Sequence, residues 1–185
     1  ENKVKRLGCK TDFIKLDNGM SRINVKLKSK EESEINGQGP AINDDDLDKL
    51  YKKLDLLKEG DILVLAGSIP NTLPENIYEI IMERLKDQDV KIIVDATRDL
   101  LLNVLKYKPF LIKPNKQELE EVAKMELKTE EDIILAATDL KNMGAENVLV
   151  SLGEDGALLV ADDGKVYKKS AFKVTAVNTV GAGDS

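Results

Sequence analysis

Ile62-Leu63-Val64-Leu65-Ala66 is the stretch that decides how this sequence folds. Its five apolar residues are continuous, whereas a half-buried strand would alternate. The run therefore reads as a strand covered on both faces, the kind found in parallel sheets packed between helices. Upstream, Leu47, Leu50, Tyr51, Leu54 and Leu57 are spaced for one helix face, opened by Asn43 or Asp44 and closed near Gly60. Downstream, Ile77, Ile80, Ile81 and Leu85 mark a helix after Pro74, and Val90 to Val94 is the next buried strand, ending at Asp95. Leu100 to Leu105 reads as a short helix and Phe110-Leu111-Ile112 as a short strand. Helices are expected over about 116–124 and 130–143, with Thr129 and Asp132 as a cap. Val148 to Leu152 is a strand, Ala157 to Val160 pairs back on it, and Asp162-Asp163-Gly164 turns toward Val166 and Tyr167. The alternation predicts an α/β fold, a mostly parallel sheet with helices on both faces.

In such sheets ligands bind outside the carboxyl ends of the strands. The polar strings found there are Gly67-Ser68-Ile69-Pro70, Asp95-Ala96-Thr97-Arg98, Lys113-Pro114-Asn115 and Gly153-Glu154-Asp155-Gly156.

Residues 11–37 follow another rhythm. Arg22-Ile23-Asn24-Val25-Lys26-Leu27-Lys28 alternates apolar and polar, as a half-buried strand does. Thr11 to Leu16 is expected to precede it as a strand, joined through the turn Asp17-Asn18-Gly19, and Ser33 to Asn36 to add a third. A small sheet with one apolar face cannot bury that face alone, so it must cover a site, a neighbouring subunit or both. The expected organisation is an α/β core over residues 1–10 and 38–185, incomplete as given, with lid strands over 11–37.

Composition narrows the chemistry. A net charge of −6, with Lys and Arg scattered, argues against a nucleic-acid partner and against an anionic membrane surface. No apolar run approaches the roughly 20 residues that span a bilayer. Cys9 is the one cysteine, so an internal disulfide is excluded and a cytoplasmic location is expected. With no histidine, Ser-His-Asp and Cys-His nucleophile systems are excluded from these residues. A zinc site is not expected either, and acid–base work falls to Asp, Glu, Lys or Tyr. The sequence begins without Met and stops where a helix should start, and is read as part of a longer protein.

Four strings carry candidate chemistry, each with a structural reading beside the functional one. Gly181-Ala182-Gly183-Asp184-Ser185 is either a plain strand-to-helix turn or an anion hole. In the second case its free N–H groups suit a phosphate, and Asp184 stands ready to take a proton from an attacking hydroxyl. Asn115 and Glu118 form a helix capping box, and an amide and carboxylate on that turn could also organise Mg²⁺ through its waters. Ser151-Leu152-Gly153-Glu154-Asp155-Gly156 is a hairpin turn or a loop that lets a phosphorylated ligand approach the backbone. It is not the phosphate loop of Gly-x-x-x-x-Gly-Lys-Ser/Thr type, which the chain lacks. Arg22 is a solvated strand residue or a bidentate phosphate clamp.

Taken together these strings resemble the ribokinase-like carbohydrate kinases, and within them the phosphosugar kinases. The resemblance runs from Ser21-Arg22-Ile23-Asn24-Val25 through Ala66 to Pro70, Ile112 to Leu119 and Val150 to Ala157, and ends in Thr179 to Ser185. It implies a three-layer α/β/α fold with a small β lid that often pairs with a second subunit's lid, hence a homodimer. It implies Asp184 as catalytic base and Gly181, Ala182 and Gly183 as the anion hole. Asn115 and Glu118 would organise Mg²⁺ and the ATP phosphates, with Lys113 near them. Ser151, Gly153, Glu154, Asp155 and Gly156 would lie at the nucleotide, and Arg22 and Ser68 at the phosphosugar. The expected reaction moves the γ-phosphoryl of ATP to fructose 1-phosphate, giving fructose 1,6-bisphosphate. Alternatives are tagatose 6-phosphate or fructose 6-phosphate as acceptor, or a non-catalytic phosphosugar- or nucleotide-binding module. The family's sugar-binding aspartate and glycine-rich sugar loop have no counterpart in these residues, and neither does the helix after Asp184.

Overall fold

The structure is a computed structural model and describes residues 1–28, 32–67, 69–96 and 98–172. The chain divides into two compact units, Glu1–Leu56 with Ile69–Pro74, and Leu57–Ser68 with Glu75–Ser185. The first unit thus takes in residues 1–10 and a helix beyond the expected lid strands.

In the first unit, α1 (Asn2–Arg6) is short and buries no residue. β1 (Asn24–Lys28) and β2 (Glu32–Asn36) form an antiparallel pair. The register sets Val25 opposite Ile35 on one face, and Lys26 opposite Glu34 and Lys28 opposite Glu32 on the other. A slip of this register by one residue would invert both faces. Val25, Leu27 and Ile35 are exposed.

Thr11 to Leu16 is not a strand. It has no ladder partner among the described residues, and the chain bends at 17–19 instead of closing a hairpin. Gly19 has φ +89°, and a Cβ there would stand 2.6 Å from the Pro40 Cβ, so the bend packs on Pro40. α2 (Asp44–Leu54) starts where expected, with the Asn43 side chain accepting from the Asp46 N–H at 2.9 Å. Asp44 to Asp46 in its first turn and Lys52 and Lys53 in its last complement the helix dipole.

The second unit contains β3 (Ile62–Ala66), α3 (Ile77–Leu85), β4 (Lys91–Asp95), α4 (Arg98–Val104), β5 (Leu111–Ile112) and α5 (Lys116–Ala123). α6 (Glu130–Asn142), β6 (Asn147–Ser151), β7 (Ala157–Val160) and β8 (Val166–Lys169) complete it. The sheet order is β3-β4-β5-β6-β7-β8, parallel from β3 to β6 and antiparallel from there on. The α/β class with a mostly parallel sheet is as expected.

α3 packs on α4, α4 on α5 and α5 on α6, with α6 against β6 and β7, so the four helices form one continuous layer. Beneath it lie Leu65, Ile92, Val94, Ile112, Val148, Val150, Leu158 and Val160, all buried. The alternate residues Ile93, Leu111, Leu149 and Leu159 are only half-buried. At the β3 edge, Ile62 and Val64 are 58 % and 56 % exposed. Among the described residues β3 pairs with β4, and its Leu65 side is the one beneath the helices.

Candidate active site

The carboxyl ends of β4, β5 and β6 bring most of the candidate residues together. β4 ends at Asp95, whose backbone carbonyl accepts from the Gly67 N–H at 3.3 Å. The Lys113 N–H donates to the Val94 carbonyl at 3.1 Å, which holds the residue after β5 beside the end of β4. Lys113 Nζ then stands 3.0 Å from Asp95 Oδ2, with the two side chains 25 % and 28 % exposed. Below them, the buried Tyr78 phenol donates to the Gly67 carbonyl at 2.9 Å. Burial first, and then the Asp95 charge, holds that phenol above the usual tyrosine pKa, so it stays a donor.

Past β5 the chain keeps contact with β6. The Ser151 N–H donates to the Pro114 carbonyl at 3.0 Å, and Asn115 and Ser151 form an isolated parallel bridge. α5 opens directly on this bridge. Asn115 Oδ1 accepts from the Glu118 N–H at 2.9 Å, and Glu118 Oε2 accepts from the Asn115 N–H at 2.8 Å. This is the reciprocal box read from the sequence, and it satisfies two of the helix's orphan N–H groups. Leu119, fully buried on the next position, anchors the turn. The first N–H groups of α5 and the positive end of its dipole consequently lie beside Ser151 and the exit of β5.

After β6 the chain makes a short 3-10 turn over Gly153–Asp155. The Leu152 N–H donates to the Gly156 carbonyl at 2.8 Å and closes the loop. Gly153 has φ +60° and open space where a side chain would stand, while Glu154 and Asp155 are exposed. A ligand can approach the backbone on the Gly153 side. Lys113, Asn115, Glu118, Ser151 and Gly153 to Gly156 thus share the strand ends of the second unit. Arg22 is an exposed residue of the first unit. Ser68, Gly181, Ala182, Gly183 and Asp184 lie outside the described residues.

Asp95 and Tyr78 were given no role from the sequence. An apolar strand that ends in a carboxylate at the binding edge was the available signal for Asp95. Nothing local marks Tyr78, whose part depends on a carbonyl 11 residues away.

The oxygen set fits a magnesium ion that arrives with a phosphorylated ligand. Glu118 commits Oε2 to the cap, which leaves Oε1 for a metal-bound water. No three acidic or sulfur groups converge as a metal cage among the described residues. Mg²⁺ bound through one or two carboxylates, its own waters and substrate phosphates needs no such cage. A lysine, a helix N-terminus and a glycine loop around one strand edge can hold a polyphosphate while a carboxylate holds its hydrated cation.

Comparisons with known proteins place the chain in a family. The model of the pfkB family carbohydrate kinases matches residues 1–185. The 1-phosphofructokinase of Bacillus subtilis is 46 % identical over 167 residues, 90 % of this chain and 55 % of that protein. The D-tagatose-1-phosphate kinase of Bacillus licheniformis is 37 % identical over 186 residues, 100 % of this chain and 60 % of that protein. Among solved structures, a putative phosphofructokinase from Staphylococcus aureus superposes with a TM-score of 0.84 at 36 % identity, covering 100 % of this chain and 60 % of that one. Phosphofructokinase-2 from Escherichia coli, solved with substrates and products, gives a TM-score of 0.75 at 32 % identity, over 87 % of this chain and 54 % of that one. The chain spans a little over half the length of these relatives. By its sequence along its whole length and by the fold of its sheet, it belongs to the pfkB family of carbohydrate kinases.

Proposed function

We propose that the complete protein is an ATP-dependent phosphosugar kinase that phosphorylates fructose 1-phosphate to fructose 1,6-bisphosphate. The observation that carries this reading is the convergence of Lys113, the Asn115/Glu118 box and the Gly153 loop on one strand edge. Similarity to two proteins named for 1-phosphate sugars directs it to the acceptor.

Lys113 supplies a point charge at the nucleotide phosphates, held in place by Asp95. The N–H groups at the start of α5 and around Gly153 add fixed partial charges where a polyphosphate lies. Mg²⁺ bound with the nucleotide would supply charge neutralisation at the phosphoryl oxygens, and Glu118 and Asn115 are the residues that would hold its waters. Asp184 takes the proton of the acceptor hydroxyl as that oxygen bonds to the γ-phosphorus and the bond to the β-phosphate oxygen breaks. Gly181, Ala182 and Gly183 donate N–H groups to the transferring phosphoryl, while Arg22 and Ser68 hold the sugar phosphate. The exposed Val25, Leu27 and Ile35 favour pairing of two lids in a homodimer. No helix among the described residues is long and apolar enough to cross a membrane. A lone, exposed Cys9 accords with a cytoplasmic enzyme.

A second acceptor class stands on the Bacillus licheniformis relative, which matches the whole chain and is named for tagatose 1-phosphate rather than the 6-phosphate. The deciding assay is ADP release by the complete protein with ATP and Mg²⁺ and, in parallel, fructose 1-phosphate, tagatose 1-phosphate, fructose 6-phosphate or fructose. A clear preference for fructose 1-phosphate is expected, and equal indifference to all four would overturn the phosphosugar reading. Asp184→Asn should lower kcat by several orders of magnitude with ATP affinity retained.

A further inference from the structure

Three strand ends meet around Asp95, and they are not held with equal firmness. On the β5 side the Lys113 N–H reaches the Val94 carbonyl at 3.1 Å, and the Lys113 ammonium lies 3.0 Å from Asp95 Oδ2. On the β3 side the Gly67 N–H reaches the Asp95 carbonyl at 3.3 Å, past the usual limit of about 3.2 Å. Gly67 has φ +91°, and a Cβ there would meet nothing within 4 Å. A glycine in open space has no steric reason to keep one backbone conformation. The ladder alone therefore leaves the Gly67 carbonyl free to turn.

The firmer hold comes from α3. Tyr78, in its first turn and 8 % exposed, donates its phenol hydrogen to the Gly67 carbonyl at 2.9 Å. Ile77, Ile81, Met82 and Leu85 of the same helix are buried, so the ring is carried on a well-anchored element. The ring alone would fill this part of the core. The hydroxyl is an added polar group, and this bond is what compensates its burial.

We propose that Tyr78 is a positioning residue for nucleotide binding: its hydroxyl fixes Gly67 against Asp95, and Asp95 in turn aims the Lys113 ammonium at the phosphates. The inference rests on the reading of Lys113 as a phosphate ligand. A lysine is a point charge on a flexible stem, so its effect at a phosphate depends on what orients it. Without the phenol, the Gly67 carbonyl loses its buried partner and Asp95 keeps only the long bond on its β3 side.

The test uses the complete protein with ATP and Mg²⁺, and reads ATP Kd by calorimetry beside the urea midpoint. Tyr78→Phe keeps the ring and removes one oxygen. It should raise ATP Kd about three- to tenfold, the scale of one lost hydrogen bond. Lys113→Met should raise it at least as much. Adding Tyr78→Phe to Lys113→Met should then change Kd by less than about twofold, because both act through one contact. Gly67→Ala strikes the same bond from its other end, since Ala resists a φ of +91°, and should reproduce the Tyr78→Phe rise. An ATP Kd unchanged by Tyr78→Phe, whatever the urea midpoint does, would overturn the proposal and leave the hydroxyl a purely structural donor. An equal rise from Tyr78→Phe with and without Lys113 would overturn it too. Should Tyr78→Phe fail to fold, Gly67→Ala, alone and with Lys113→Met, decides in its place. An ATP Kd untouched by Lys113→Met removes the reading of Lys113 and the proposal with it. A weakened Lys113→Met beside an unaffected Tyr78→Phe removes the proposal alone.

Discussion

α5 and α6 begin with the same device and end up with different tasks. At α5, Asn115 and Glu118 exchange hydrogen bonds of 2.8 and 2.9 Å; at α6, Thr129 and Asp132 do so at 2.9 and 3.2 Å. Locally the two boxes are equivalent. What differs is the company they keep. Asn115 is bridged to Ser151 at the end of β6, two residues from the Lys113–Asp95 pair. The α6 box instead takes the Lys128 N–H as its additional partner, at 3.0 Å, and among the described residues no strand end bonds to Thr129 or Asp132. A capping motif is thus a statement about helix ends. Whether it is also part of a site depends on what the fold sets beside it.

Substitutions matched across the two boxes would break or sharpen this contrast. The largest effect is expected from Glu118→Gln, because Gln still fills the N3 role of a capping box but lacks the charge. It should lower kcat/KM with Mg-ATP about 10- to 100-fold, the usual scale for removing a metal's outer partner. Asp132→Asn should leave ADP release unchanged. Equal turnover in both variants would reduce the α5 box to a cap.

Next in size are Asn115→Ala and Thr129→Ala. Each should cost about 1 kcal/mol in urea unfolding, the typical loss of an N-cap. Only Asn115→Ala should also weaken ATP binding, and a parallel rise of ATP Kd in Thr129→Ala would erase the distinction.

The smallest effect is a pH dependence. Thr129's backbone N–H first, then its hydroxyl, holds the Asp132 carboxyl below the usual carboxylate value. A depressed folded-state pKa stabilises the fold above the unfolded value, and that contribution is lost as pH falls through the folded one. Asp132→Asn should therefore flatten the acid limb of stability measured from about pH 5 downward. An unchanged limb would show that the Thr129 contacts do not persist in solution.

Much of this was legible in residues alone. Apolar runs located β4, β6 and β7, a period near 3.6 located α2 and α3, and Asn43, Asn115 and Thr129 marked helix starts. The misreading has a physical cause. Thr11 to Leu16 has strand-like composition, yet a strand exists only with a partner, and the chain turns onto Pro40 instead.

By itself the sequence determined the order of strands and helices from α2 onward, both capping boxes and the residue types available for phosphate chemistry. Each of these follows from contacts a few residues apart, where spacing along the chain is spacing in space. Only the tertiary structure decided that Lys113 meets Asp95, that Asn115 meets Ser151, and that Gly156 yields its space to the end of β8. Those contacts join residues 13 to 36 positions apart, brought together by strand pairing in the sheet, and no local period encodes which strands become neighbours.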